Sequence, residues 1–195
     1  MALLLSVHPK NPQARLIARA VEILHNGVSI MDWDRDALER LRRIRGIDAK
    51  HHLTLMCRDL SDFGTYARVD NARYRLIKTL TPGPYTFILQ ATRELPKRVL
   101  HASRKTIGVR SPDHGVVQAL LSALGEPLVS TSLILPGAEE PLDDAMEIEE
   151  RLRGVIDALI DSGSCGTTPS TVIDLTAEEP VITRVGNGSI AMFDQ

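Results

Sequence analysis

Leu128-Val129-Ser130-Thr131-Ser132-Leu133-Ile134-Leu135-Pro136-Gly137 sets three consecutive hydroxyl side chains between apolar flanks and closes on a Pro-Gly stop. The flanks predict a buried strand that delivers Ser130, Thr131 and Ser132 to an edge. A buried hydroxyl without a partner costs about 1–3 kcal/mol. The trio therefore needs neighbouring strand ends, water or an oxygen-rich ligand, and the segment alone leaves these open.

Moving outward toward the N-terminus, Gly125-Glu126-Pro127 separates the hydroxyl strand from a helix with a broad apolar face, Val116, Val117, Ala119, Leu120, Leu121 and Leu124. Asp113 is its candidate cap, and Ser111-Pro112 ends the preceding strand, Thr106 to Arg110. Before that strand lies the densest basic segment, Arg93, Lys97, Arg98, Arg104 and Lys105, and earlier the strand Tyr85 to Ala91 behind the breaker Thr81-Pro82-Gly83-Pro84. Toward the C-terminus, Glu139 to Glu150 is acidic and predicts a loop and helix, and Val155 to Ile160 a strand or buried turn. A small, polar stretch, 162–169, feeds Ser170-Thr171-Val172-Ile173-Asp174, which puts a second hydroxyl pair at a strand start, and Val181 to Arg184 predicts a last strand.

The N-terminal third repeats the alternation. Leu3 to Val7 predicts a strand, and Asn11-Pro12 opens a helix that runs through Leu24 to Asn26-Gly27. Only Val28 to Met31 is available as the next strand before a second helix, Arg35 to Arg45, which leaves the pattern one element short. That helix places Leu38, Leu41 and Ile44 on one side and arginines elsewhere, ends at Gly46, and leads through Lys50-His51-His52 into the strand Leu53 to Cys57. Short helices follow Ser61 and Asp70. Adjacent histidines on extended chain point in different directions, so His51 and His52 make a poor metal site.

With 43% apolar but only 4% aromatic residues, aliphatic side chains must fill the core, which suits an α/β (α+β) sheet in one domain spanning 1–195. The formal charge of −2 hides an asymmetry: residues 1–110 carry a balance of +10 and residues 111–195 one of −12. A basic face attracts polyanions and phosphate-bearing ligands, unless the halves interleave and neutralise each other. No apolar run approaches the ~20 residues that span a bilayer, and no signal peptide is evident, so the expectation is a soluble, cytoplasmic protein without a membrane partner. Cys57 and Cys165 lack zinc or disulfide spacing and are expected to be reduced thiols.

Six short motifs in order carry a resemblance. They are Arg43-Ile44-Arg45, Pro82-Gly83-Pro84-Tyr85-Thr86, Gly108-Val109-Arg110-Ser111-Pro112, Pro127 to Ser132, Pro169 to Asp174, and Arg184-Val185-Gly186. In this series the chain resembles the YrdC-like superfamily of threonylcarbamoyl-adenylate synthases, most closely its YciO branch. The resemblance implies a twisted mixed sheet flanked by helices, with a large basic concave surface. It also implies synthesis of threonylcarbamoyl-AMP and pyrophosphate from threonine, bicarbonate and ATP, for modification of transfer RNA.

Guanidinium groups clamp phosphate and carboxylate oxygens and an ammonium attracts them as a point charge, so Arg43, Arg45, Lys50, Arg110 and Arg184, with the hydroxyls of Ser130, Ser132 and Ser170, form the expected substrate or nucleotide site. Arg98, Arg104 and Lys105 are the expected nucleic-acid contacts, transfer or double-stranded RNA being the partner and nothing pointing specifically to DNA. ATP and Mg2+ are candidate ligands beside a threonine-like substrate. No resident cofactor or protein-bound metal is expected, and no protein nucleophile is needed, because the carbamate of threonine would attack phosphorus itself.

Three departures bear on activity. Ile134 stands where the synthases have Asn, Arg43 where they have Lys, and the family's Pro-Thr-acidic element is absent after Gly27. Losing a central strand would leave a layer of core unfilled, which favours a chain longer than the residues written. The leading expectation is a nucleotide- and RNA-binding protein of threonylcarbamoyladenosine metabolism with altered or lost synthase chemistry. Alternatives are an active synthase, removal of a threonylcarbamoyl group from modified transfer RNA with His51 or His52 as base, and a scaffold that binds another small anion.

Overall fold

The computed structural model describes residues 2–6, 26–30, 35–156, 158–161 and 166–193. In chain order the elements are β1 (Ala2–Ser6), β2 (Asn26–Ile30), α1 (Arg35–Arg45), β3 (Thr54–Met56), α2 (Leu60–Tyr66), α3 (Asn71–Leu80), β4 (Tyr85–Gln90) and β5 (Thr106–Arg110). They continue with α4 (Gly115–Leu124), β6 (Leu128–Thr131), α5 (Ala145–Leu152), β7 (Ala158–Asp161), β8 (Thr171–Asp174), β9 (Val181–Arg184) and a 3-10 turn at Ala191–Phe193. The helix expected from Pro12 to Leu24 lies outside the described residues. Two compact units result: Met1–Asp48 with Gly115–Thr167, and Ala49–His114 with Thr168–Gln195.

In the first unit β1 pairs in parallel with β2 and antiparallel with β7, and β2 pairs antiparallel with β6, giving a mixed ladder. The strand expected from Val28 to Met31 begins earlier, because Asn26 and Gly27, expected to end the preceding helix, already pair within β2. Asn26–Ile30 runs between β1 and β6, with Ser29 opposite Ser130 and Val28 opposite Thr131. Leu38, Leu41 and Ile44 of α1 and Val117, Leu120 and Leu121 of α4 are buried, as their helical spacing demands. The stretch from Val155, expected as a strand or buried turn, first turns back, with the Val155 and Ile156 N–H groups both donating to the Leu152 carbonyl, and β7 begins at Ala158.

The second unit runs β3-β5-β4-β8-β9, with β3–β5 and β4–β8 parallel and β5–β4 and β8–β9 antiparallel. Tyr85 to Leu89 of β4 are all buried, which explains why this strand reads as a continuous apolar run rather than an alternation. Phe63 of α2 and Phe87 are fully buried with ring centroids 6.4 Å apart, each side chain adding about 1.5–3 kcal/mol by burial. Asp59 and Asp70 cap α2 and α3, accepting from the backbone N–H of Ser61 and Arg73 at 2.8 Å. No helix among the described residues is long and apolar enough to cross a membrane.

Candidate functional site

The Pro82-Gly83-Pro84 turn feeds β4 at the end where β8 also begins, because the two strands run parallel from Tyr85 opposite Thr171. Gly83 is required here: a Cβ would sit 2.6 Å from the Leu80 carbonyl oxygen, and its N–H donates to the Ser111 carbonyl at 2.9 Å. Thr86 and Ser170, neighbours across the strands, share a hydroxyl hydrogen bond of 2.8 Å. Arg184, at the end of β9, donates to the Ser170 carbonyl from Nε at 3.1 Å and Nη2 at 2.9 Å, and from Nη2 to the Ser170 hydroxyl at 3.3 Å.

The second glycine of this corner is equally constrained. A Cβ on Gly186 would meet the Pro169 carbonyl oxygen at 2.2 Å, and the Gly186 N–H donates to the Thr171 hydroxyl at 3.0 Å. The Arg-x-Gly motif thus places its arginine over Ser170 because its glycine lets the following backbone pass against Pro169.

Arg110 ends β5 with its Nε buried and without a hydrogen bond. Burial, and then the like charge of Arg184, hold its pKa down at about 10, so the Arg110 guanidinium stays protonated at neutral pH. Partial burial also lowers Arg184. Neither arginine makes an ion pair among the described residues. Two guanidiniums, one of them depressed by the other, stand beside a hydroxyl pair, an arrangement whose donors suit an anion.

The first unit holds another part of the predicted set. Arg45 is buried, its Nη1 donates to the Ile134 carbonyl, and its Nε is buried without a partner. Burial lowers its pKa. Gly46, at φ +62°, ends α1 against Pro136, whose Cγ lies 3.0 Å from where a Cβ would stand. The helix end is therefore seated on the segment that follows the hydroxyl strand. Ser130 is buried in β6, Ser132 lies exposed just beyond it, and Arg43 is exposed on α1. Arg45 meets the backbone of Ile134, the position at which the expected polar side chain is absent.

Lys50, grouped above with Arg43 and Arg45, neighbours the basic 97–105 segment, because the Ala102 N–H donates to the Ala49 carbonyl at 3.0 Å. Arg98, Arg104 and Lys105 are exposed on that segment. His101, which the sequence reading passed over, stacks obliquely on His52 with ring centroids 4.4 Å apart. His52 also bonds the Thr106 hydroxyl through Nε2 at 3.0 Å, and its pKa is lowered by burial, then by His101 and Arg104. Thr86 was within reach of sequence reasoning, since it ends a quoted motif, but its pairing with Ser170 depends on strand register. Among the described residues no group of three or more His, Cys, Asp or Glu is placed to hold a metal, and burial pushes the Cys57 thiol well up.

The family model covering Sua5, YciO and YrdC, described as "Telomere recombination", matches residues 29–186. The chain belongs to the Sua5/YciO/YrdC family. Among its relatives, the uncharacterized protein YciO of Escherichia coli is 49% identical over 199 residues, covering 96% of this chain and 97% of that one. The crystal structure of E. coli YciO superposes with a TM-score of 0.82 at 46% identity, again over 96% and 97% of the two chains. A threonylcarbamoyl-AMP synthase of Pyrococcus abyssi is 28% identical over 89% of this chain and 51% of its own length. P. abyssi Sua5 complexed with L-threonine shares the fold, with a TM-score of 0.75 at 23% identity over 94% of this chain and 57% of that one. The Sua5/YciO/YrdC assignment also explains why the glycine and arginine motifs recur in order: they build the strand ends just described.

Proposed function

We propose that this protein binds a nucleotide and transfer RNA in threonylcarbamoyladenosine metabolism, with the synthase chemistry of its family altered or lost. The observation that carries the nucleotide reading is the Arg110–Arg184 pair, two unneutralised guanidiniums beside the Thr86–Ser170 hydroxyls. A phosphate there would relieve their repulsion and accept charge-assisted hydrogen bonds. Altered chemistry is supported by Arg45, which is engaged by the Ile134 carbonyl, and by Ile134 itself, whose side chain has no donor or acceptor for substrate. The transfer-RNA reading is supported by the exposed basic segment around Arg98, Arg104 and Lys105.

ATP and Mg2+ are the expected ligands, with a threonine-like carboxylate as the candidate second substrate. Two measurements test the reading together: ATP binding by calorimetry, and pyrophosphate release from ATP and bicarbonate with and without threonine, alongside an active synthase. ATP is expected to bind, Arg110→Ala and Arg184→Ala each to weaken it roughly ten- to hundredfold, and threonine-dependent release to stay far below the synthase control. Release matching the control would make this protein a threonylcarbamoyl-AMP synthase. Absence of ATP binding would overturn the nucleotide assignment.

A further inference from the structure

A groove of about 540 Å3 opens at the opposite ends of β4 and β8 from the Arg110–Arg184 cluster. Its construction follows from strand register. Ala67 bridges Ala91 in antiparallel sense, and the Arg68 N–H donates to the Gln90 carbonyl at 2.8 Å, so Arg68 stands opposite Gln90 with both side chains on one face. On the other flank the Leu175 N–H donates to the Ile88 carbonyl at 2.9 Å, continuing the β4–β8 ladder and bringing Thr176 alongside Gln90.

The walls are already tied together. Arg73 donates to the Leu175 carbonyl from Nε and to the Ala177 carbonyl from Nη2, both at 2.7 Å, and pairs with Asp70. Thr176 is held by Asp174 at 2.6 Å, and Thr92 donates to the Thr65 carbonyl at 2.8 Å. What remains are the Arg68 guanidinium and the Gln90 amide, both exposed and both without a side-chain hydrogen bond or ion pair among the described residues. Since Arg73 and Asp70 neutralise each other, the groove carries one uncompensated positive charge beside one neutral donor–acceptor group.

We infer that this groove binds a small carboxylate that also carries an amide, of the N-acyl amino acid class. The planar guanidinium of Arg68 matches a carboxylate in bidentate fashion. The Gln90 amide can both donate to and accept from an amide, and the half-buried Val69 offers apolar contact. A phosphate dianion fits less well, because a single free cation faces it and the Asp70 carboxylate stands on the rim. The site lies at the far end of the strands from the proposed nucleotide cluster and does not depend on that proposal.

The test is a titration of the full chain with N-acetylglycine, followed by backbone amide resonances, with N-acetylglycinamide and inorganic phosphate as comparators. N-acetylglycine is expected to give saturable shifts at Arg68, Ala91 and Leu175. Arg68→Gln should weaken binding by about tenfold or more, Arg68→Lys should keep part of it, and Gln90→Ala should cost less than Arg68→Gln. Unchanged resonances elsewhere show that each variant is folded. Equal binding of N-acetylglycinamide, tighter binding of phosphate, no saturable shift, or an Arg68→Gln affinity equal to wild type would overturn the proposal.

Discussion

A methyl group on Gly188 would stand 2.3 Å from the Tyr85 ring, and one on Gly186 would stand 2.2 Å from the Pro169 carbonyl oxygen. Neither neighbour can give way cheaply, since Tyr85 is buried with its hydroxyl donating to the Ser189 carbonyl at 3.0 Å and Pro169 O is backbone. Gly186→Ala and Gly188→Ala are therefore each expected to cost about 1–3 kcal/mol or more, read as a lower urea midpoint at unchanged slope. Gly186→Ala should also weaken ATP binding, because it displaces the backbone that follows Arg184. His52 supplies a second residue-level expectation. Its folded pKa lies below the ordinary value of 6.5, with burial, His101, Arg104 and His51 lowering it and Asp174 opposing them. The unfolded chain then binds more protons near that value, so His52 contributes stability above it that is lost as pH falls toward the folded pKa. Urea midpoints at about pH 7.5 and about pH 5.5 should differ more in the wild type than in His52→Asn. An identical difference in the two proteins would show that His52 does not titrate in this way.

At the scale of elements, β4 joins both proposed sites of the second unit, presenting Thr86 near its start and Gln90 at its end. Between them Phe87 is fully buried against Phe63 and stacks with Tyr85 at 6.3 Å between centroids. Phe87→Ala should destabilise the fold by about 3–5 kcal/mol. Because both ends hang on this strand, ATP and N-acetylglycine binding should be lost together when this variant is warmed, whereas Arg184→Ala and Arg68→Gln should each affect one ligand. The apolar run, the turn at Pro82-Gly83-Pro84 and the cap Asp70 were legible in the sequence because each acts over a few residues, whereas the helix expected after Ser61 starts at Leu60 with Asp59 as its cap. The position of Thr86 beside Ser170, 84 positions apart, was not, since it comes from the parallel register of β4 and β8.

Across the whole molecule, the linear charge asymmetry is redistributed by the fold. The first compact unit combines Arg35–Arg45 with the acidic stretch and carries a formal balance of −6, and the second carries +4. Part of the apparent polarity is thus cancelled inside one unit, while the second unit keeps a cationic excess that suits a polyanion. Transfer-RNA affinity is expected to fall steeply between about 50 and about 200 mM salt. Arg104→Glu combined with Lys105→Glu should reduce the slope of log affinity against log salt by about 1 for each phosphate contact removed. Salt-independent affinity, or an unchanged slope in the double variant, would remove this segment from the RNA interface.

By itself the sequence determined the α/β class, most element positions, the family motifs and the residues able to bind oxyanions, because periodicity, turn chemistry and side-chain type are local properties. It read Asn26-Gly27 as a helix end and Val28 to Met31 as the next strand, whereas β2 runs from Asn26 to Ile30, because pairing with β1 and β6 sets its bounds. The tertiary structure alone decided that Arg45 spends a donor on the Ile134 carbonyl, that Arg184 bonds Ser170 and depresses Arg110, and that Arg68 faces Gln90 across a groove. Those relations join residues distant in the chain, and they exist only once backbone pairing has set which side chains share a face.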